Sequence, residues 1–483
     1  MNEKYLTVST NGNKIEGRHR ERGVVELEKT AQNDFSRGSM GINILRMGIP
    51  MMMAEFINIL YNIVDRIYIG RIPGAGTMAL TGVGICFPII TLMSAFAGLF
   101  GTGGAPLCSI HRGKKDYEGA AGIMGVSFFM MVITGLILTV ILQIFEGPIL
   151  YAFGASEDTY RYASEYMRIY SAGTLFVMIS MGMNLFINSQ GFGKTGMMTI
   201  AIGAALNIVL DPIMIFGMNM GVKGAALATV ISQAISALWV LKFLTGRKAI
   251  LRLERKTIRF EARTAGRICG LGLTGFIVNF TNSVVQLVCN KMLGIFGGDL
   301  YIAIMTVLNS VRTVVSLPVQ GINTGAQPVV GYNYGAKQYH RVRQGIRFQT
   351  VVCLGYTFLV WLAVVVFPKF WIRLFNTDPE LLRQGVPSLK LYFFGFVMMA
   401  FQFAGQSTFV ALGRAKQAVF FSLFRKIVIV VPLTLILPYV GGLGVDGVFL
   451  AEPVSNFVGG LACYLTMYFT VYRRLEHSGA VKP

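Results

Sequence analysis

Apolar stretches of about 20 residues, each long enough to cross ~30 Å of hydrocarbon, follow one another along almost the whole chain. Twelve are legible, at 43–69, 79–104, 120–145, 165–189, 196–217, 223–244, 267–296, 301–329, 348–367, 388–411, 418–439 and 446–471. They leave no room for a soluble domain between them. A chain that is 54% hydrophobic and 14% charged, with mean hydropathy +0.59, has the composition of a polytopic membrane protein. The expected fold class is all-α, with twelve transmembrane helices.

The net charge of +20 raises the question of nucleic acid, and its distribution answers it. Basic residues gather on alternate loops. Lys242, Arg247, Lys248, Arg252, Arg255, Lys256, Arg259, Arg263 and Arg267 follow the sixth span, and loops after the second, fourth, eighth and tenth add Arg112 with Lys114, Lys194, Lys337 with Arg341, and Arg414 with Lys416. This positive-inside pattern predicts a multi-pass protein with both termini cytoplasmic, its charge serving topology and anionic lipid rather than nucleic acid. Residues 1–42 are polar, with no early apolar core, and read as a cytoplasmic tail rather than a cleavable signal. Residues 472–483 form a second tail. The six cysteines stand singly, and the four histidines fall in loops or tails, so neither haem nor zinc chemistry is expected.

The chain also repeats itself at an offset of about 220 residues. Gly101-Thr-Gly-Gly-Ala-Pro106 and Gly113-Lys-Lys-Asp-Tyr117 recur as Asn323-Thr-Gly-Ala-Gln-Pro328 and Gly335-Ala-Lys-Gln-Tyr339. Gly193-Lys194 matches Gly413-Arg414, Pro212 matches Pro432, and Gly221-Val-Lys-Gly224 matches Gly444-Val-Asp-Gly447. Two pseudo-symmetric six-helix bundles follow, an N-terminal lobe at 43–244 and a C-terminal lobe at 267–471, joined by a basic cytoplasmic linker at 245–266. Parallel repeats of this kind are a transporter signature, with the substrate between halves that rock against each other.

The halves differ in their acids. Asp211 stands inside the fifth span, where a charged carboxylate costs at least ~2.5 kcal/mol on insertion scales and so faces a cavity or a partner. Pro212 after it removes a backbone donor and frees a carbonyl a turn earlier, which favours a bend. Val431 occupies the matching place in the second half, beside Pro432, and Thr229 aligns near Glu452. Asn207 shares a helix face with Asp211, and Thr229 enters at similar depth from the sixth span. In the first span Glu55, Asn58, Asn62 and Asp65 line one face; the seventh answers with Asn279, Asn282, Gln286 and Asn290, without an acid. Asp65, Asn207, Asp211 and Thr229 make an all-oxygen set suited to Na⁺ or to a shared proton. The structural alternative pairs Asp65 with Arg66 or Arg312 and gives it only a helix-holding role.

Pro50, Asn58, Tyr61, Val64-Asp65 and Gly70 in the first span, Asn207-Ile-Val-Leu-Asp-Pro-Ile-Met-Ile-Phe-Gly217 in the fifth and Gly221-Val-Lys-Gly-Ala-Ala-Leu-Ala-Thr229 in the sixth closely resemble the multidrug and toxic compound extrusion (MATE) family, in its bacterial MepA-like and DinF-like branch. The likeness runs through residues 43 to 475. It implies a secondary active antiporter of a bacterial plasma membrane, not an enzyme, monomeric and without a cofactor beyond a coupling ion, H⁺ or Na⁺. The implied cargo is small organic compounds, drugs and dyes, often cationic. The resemblance also implies ion coupling at Asp65, Asn207, Asp211 and Thr229, with Asn184 as a further polar neighbour. Glu55, Asn58, Tyr61, Asn62, Asn282 and Gln286 are the candidate polar residues of the cavity. Another branch places acids on the seventh and tenth spans, and this chain has none there. Two alternatives stand beside this reading. One is a flippase for lipid-linked oligosaccharide or peptidoglycan precursors, which needs basic residues such as Arg66, Lys291 and Arg312 to converge between the lobes. The other is an intramembrane enzyme with paired carboxylates.

Overall fold

The computed structural model describes residues 33–375 and 378–475, so the polar tail is described only from Asn33 and the closing tail only as far as Leu475. Every long apolar run becomes a helix, the one way such a segment satisfies its own backbone in hydrocarbon. We label them α1 (Met40–Gly70), α2 (Gly76–Gly113), α3 (Tyr117–Ile144), α5 (Gly193–Gly217) and α6 (Val222–Thr245) in the first lobe. Between α3 and α5 runs α4, Glu157–Ala172 and Thr174–Ser189, bent by 60° at Gly173. The stretch Ala262–Gly335 is two spans broken at Gly298 (φ 70°, ψ −166°), α7 over 262–297 and α8 over 299–335. The second lobe continues with α9 (Tyr339–Val366), α10 (Pro379–Ala411), α11 (Ala415–Tyr439) and α12 (Val445–Leu475).

The sequence repeat has a backbone counterpart. Left-handed residues recur at matched turns, with Gly74 (φ 71°) answering Gly298, Lys115 (φ 62°) answering Lys337 (φ 58°), and Gly221 (φ 55°) answering Gly444 (φ 51°). The first and third pairs are glycines because only a residue without Cβ adopts that turn at no steric cost. Exposed apolar residues on α1, Ile49, Met53, Phe56, Leu60, Ile63 and Ile67, repeat every three or four positions and present one stripe outward. The same helix turns its amides and Asp65 elsewhere.

Glycine also decides how the lobes meet. Gly103 and Gly113 on α2 lie against the backbones of Ile268 and Tyr332, Gly272 on α7 lies against Leu99, and Gly335 on α8 lies against Ile110. Gly48 on α1 and Gly325 on α8 face each other in the same way. Without a hydrophobic drive between helices in lipid, such stripes of small residues allow the close packing that holds helices together. These contacts cluster toward the end that carries Arg112, Lys114, Lys337 and Arg341. A short strap before α1 reinforces that end. Asn33 donates its backbone N–H to Gly191 in the first lobe, while the Phe35 carbonyl accepts from Asn333 and Arg341 in the second. Arg112 stacks over the rings of both Phe35 and Tyr332. At the opposite end, Gly70 packs with Leu80 inside the first lobe and Gly297 with Tyr301 and Val445 inside the second.

The basic linker docks under the first lobe rather than hanging free. Leu253 N–H returns to the Leu244 carbonyl, Leu251 N–H bonds the Gln190 side chain, and both leucines are buried.

Candidate functional site

Asp65, Asp211 and Thr229 stand five to seven residues from the ends of α1, α5 and α6 that point away from the glycine seam. At 1.5 Å per residue that is a depth of roughly 10 Å. The helices bring these residues together. Asn207 Nδ2 donates to Asp211 Oδ1 at 3.1 Å and to Thr229 Oγ1 at 3.2 Å, and Thr229 passes its own hydrogen to the Ala225 carbonyl at 3.0 Å. Asp65 reaches across from α1 to within hydrogen-bonding range of Asp211. Asp211 is fully buried, Asn207 nearly so, and Thr229 is 8% exposed.

The unsatisfied atoms indicate what the cluster can do. Asp65 Oδ1, Asp211 Oδ2 and Asn207 Oδ1 are all buried without a hydrogen-bond partner. Buried polar atoms are nearly always paired, and an orphan calls for a ligand, a proton or an ion. Two carboxylates at this range share one proton or hold one cation, since two bare charges would repel in a poorly solvated site. The oxygen-only set suits a hard cation such as Na⁺ equally.

A polar ladder leads to this pair along α1. Glu55, which is exposed, lies near Asn58; Asn62 Nδ2 donates to the Asn58 carbonyl at 2.6 Å; the Tyr61 hydroxyl lies near Asn62. Asp65 forms no ion pair with Arg66 or Arg312: Arg66 lies over the Phe87 ring at 4.7 Å, and Arg312 is engaged elsewhere. Arg66 acts on Asp65 only through space, so the helix-holding alternative lacks a direct ion pair. Pro212 is followed at once by a π-helical turn, Ile213–Gly217, so the backbone leaves regular α geometry directly above the carboxylate. Such π turns often mark functional positions.

Asn184 does not join the cluster. Its Nδ2 donates to the Gly196 carbonyl at 3.0 Å, eleven residues before Asn207 on the same helix. That is roughly 16 Å along the axis, and the π turn Ile179–Met183 just before it sets the direction of its side chain. The tyrosines Tyr166 and Tyr170 on α4, stacked at 5.7 Å, lie near Asp65 instead. The sequence offered no polar periodicity to single them out.

The second lobe holds a counterpart of opposite character. Glu452 on α12, the residue matching Thr229, accepts Lys426 Nζ at 3.0 and 3.1 Å and Arg425 Nη1 at 3.1 Å, and it forms an ion pair with Arg312 Nη1 at 3.1 Å. A chain of neutral groups continues from it. Arg312 donates to Tyr392, Tyr392 to Asn309, Asn309 to Gln286 and Gln286 to Asn290. Asn282 and Gln286 thus line a C-lobe cavity of ≈ 250 Å³ rather than the acid pair's surroundings. The side chain of Asn279 lies outside the described residues. Arg425 and Lys426 escaped the sequence reading because a basic pair in an apolar run has no periodicity. Their π turn, Phe424–Val430, is what aims them at Glu452.

The MatE family model matches residues 50–213 and 276–436, one stretch in each lobe. Among curated proteins, the multidrug export protein MepA of Staphylococcus haemolyticus (strain JCSC1435) is 27% identical over 434 residues, 89% of this chain and 94% of that protein. MepA of Staphylococcus aureus (strain MSSA476) is 24% identical over 437 residues, 90% and 95% respectively. Among solved structures, a MATE protein in the bent conformation superposes with TM-score 0.86 at 23% identity, covering 92% of this chain and 98% of that one. A multidrug resistance MATE transporter in its outward-facing conformation superposes with TM-score 0.84 at 22% identity, covering 93% and 99%.

Proposed function

The chain belongs to the MATE family of transporters, and on that premise we propose that it expels organic compounds from a bacterium in exchange for H⁺ or Na⁺, by alternating access of its two lobes. It is a multi-pass membrane transporter and not an enzyme, and its MepA relatives are multidrug export proteins. The observation that carries the antiport reading is the buried, unpartnered oxygen set of Asp65, Asp211 and Asn207, confined to one lobe and placed near the end away from the glycine seam.

With the basic end cytoplasmic, the glycine seam closes the inner side and the acid pair faces the outer side. An incoming proton or Na⁺ neutralises Asp65 and Asp211 and removes their mutual repulsion. The π turn above Pro212 gives the outer part of α5 room to shift as they draw together. Ion and drug then favour different states, the differential interaction that any such exchange requires. One elementary charge crossing 100 mV supplies ~2.3 kcal/mol, enough to move a neutral compound against ~1.7 decades of concentration.

A flippase remains the second reading because basic residues do converge, at Arg312, Arg425 and Lys426. Arg66 and Lys291 are exposed and stand apart from that cluster. The polar setting of Asp211 favours antiport, since a flippase gives that carboxylate no task. The deciding experiment is efflux of a fluorescent cation from proteoliposomes, with H⁺ and Na⁺ gradients imposed separately, for the wild type and for Asp211→Asn. Loss of gradient-driven transport with the fold intact is expected. Wild-type driven rates in the variant would refute ion coupling at this site.

A further inference from the structure

The glycine seam brings backbones together without interlocking them. Gly103, Gly113, Gly272 and Gly335 let α2 approach α7 and α8, but such contacts rest on dispersion, which fades as soon as the helices separate. Directed bonds across the same end come from the strap, Asn33-Asp-Phe-Ser-Arg-Gly-Ser39, which touches both lobes.

The strap has a shape of its own. Asp34 Oδ1 accepts from the Ser36 N–H at 2.9 Å and from Ser36 Oγ at 2.6 Å, a turn that a short acidic side chain closes on its own backbone. Asn43 on α1 donates to the Arg37 carbonyl at 2.8 Å, and Asn33 Nδ2 donates back to the Asn43 carbonyl at 2.7 Å. The first lobe holds one end, where the Asn33 N–H meets the Gly191 carbonyl at 3.0 Å. The second lobe holds the other. Arg341 on α9 donates to the carbonyls of Phe35, Arg37 and Gly38 at 3.1, 3.3 and 2.9 Å, and Asn333 on α8 adds a bond to Phe35 at 3.0 Å. Asn333 Oδ1 also accepts from Arg341 Nε at 2.9 Å, which aims the guanidinium at the strap.

Arg112 makes this arrangement conditional. It is 5% exposed, and among the described residues no carboxylate lies within ion-pair distance of it. Its charge rests on the Ser189 carbonyl and on the faces of two rings, Phe35 of the strap at 5.7 Å and Tyr332 of the second lobe at 5.5 Å. Its Nε is buried without a partner. A buried cation with so few partners gains from water, and the Phe35 ring, itself 2% exposed, covers it. Parting of the lobes cannot leave the set intact. Either Gly191 or the pair Asn333 and Arg341 loses the strap, and Arg112 loses Tyr332. Two states follow, a dry one with every strap bond made and a hydrated one with the guanidinium released.

We infer that segment 33–39 is a latch across the lobes, and that its release sets how often the cytoplasmic side opens. The latch holds that side shut while the opposite side is open to load the ion. The inference rests on the alternating access proposed above and adds the element that opposes opening at the basic end.

The test reads distances between nitroxide labels in the purified full-length protein by double electron–electron resonance. Cys269 is replaced by alanine and the other native cysteines are buried, so labels go to introduced residues. Lys194→Cys with Lys416→Cys reports the basic end, and Asp158→Cys with Lys369→Cys the opposite end. All four positions are exposed, and each pair has one member in each lobe. Phe35→Ala and Arg341→Gln should each raise the ratio of long to short distances at the basic end about tenfold, the shift that ~1.4 kcal/mol produces, while the opposite pair moves to shorter distances. Arg341→Lys, which keeps the charge and a donor, should return part of the wild-type ratio. Unchanged distances at the basic end in both variants would overturn the inference, and so would broadening at both ends, which marks general loosening rather than a released latch. Wild-type pairs that move reciprocally with pH or Na⁺, beside variants that change nothing, would overturn the latch and leave alternating access standing. Because the labels are read without gradient or cargo, loss of ion-driven efflux bears on the antiport reading alone.

Discussion

Gly272→Ala tests the glycine seam. A Cβ at this position on α7 would fall inside contact distance of the Leu99 carbonyl on α2, a backbone atom that no rotamer change can move. To regain ordinary van der Waals separation the two helices must part by roughly 1.5 Å. Overpacking of this kind costs about 1–3 kcal/mol. That cost falls only on the arrangement in which the lobes touch at the basic end, and the opposite arrangement escapes it. The equilibrium between the two should therefore move about 5- to 150-fold toward opening at the seam. Hydrogen exchange read by mass spectrometry measures this without labels. Peptides over 99–113, 266–275 and 325–335 should exchange faster than in the wild type, and peptides over 61–80 and 290–305 should exchange more slowly. Gly113→Ala, whose Cβ would meet the Tyr332 carbonyl, should reproduce the asymmetry. Equal acceleration at both ends would mean general destabilisation, and an unchanged pattern would mean that the seam yields freely; either result refutes the reasoning.

Glu452→Gln strips the counter-charge from three buried cations, and removing one partner of a buried pair costs about 3–5 kcal/mol. Since Arg312 retains some exposure, a loss near the lower figure is expected as a clear fall in melting temperature by scanning fluorimetry, and an unchanged melting temperature would contradict it. Lys426→Gln lowers the positive surplus and should cost less in the same assay. Pro212→Ala returns a backbone donor to α5 at the π turn, and it should slow driven efflux while leaving equilibrium dye binding within about twofold. Weakened binding at an unchanged transport rate would show that the proline shapes the cavity rather than the movement.

The meeting of the first lobe's candidate residues is legible in large part because they sit at helical spacings. Asn207 and Asp211 are four apart on one helix, and the sequence places them on one face before any packing is known. Asp65 and Thr229 follow from depth, since spans of fixed rise in a slab of fixed thickness put residues near helix ends at one level. Asn184 failed on the same criterion, because family position assigned it to the site while its depth on α4 puts it beside Gly196. The basic cluster was the reverse case. In the sequence Arg312 stands out only as a partner for Asp65 or as one of the basic residues a flippase would need, and Arg425 and Lys426 carry no signal of their own inside the eleventh span.

The apolar runs, the alternation of basic loops and the internal repeat determine the class of protein, its spans and its division into two lobes. These follow from the sequence because lipid imposes them locally, helix by helix, whatever the neighbours do. What the chain alone does not determine is which side chains face each other across lobes and helices of the same depth. Only tertiary packing shows that Asp65 meets Asp211 rather than Arg312, that Glu452 draws three cations from α8 and α11, and that glycines on α2, α7 and α8 close one end of the cleft. The physical reason is rotation. Hydrophobic length fixes where a helix enters and leaves the membrane, but its rotation about its own axis is set by small residues, π turns and proline acting on the helices it touches.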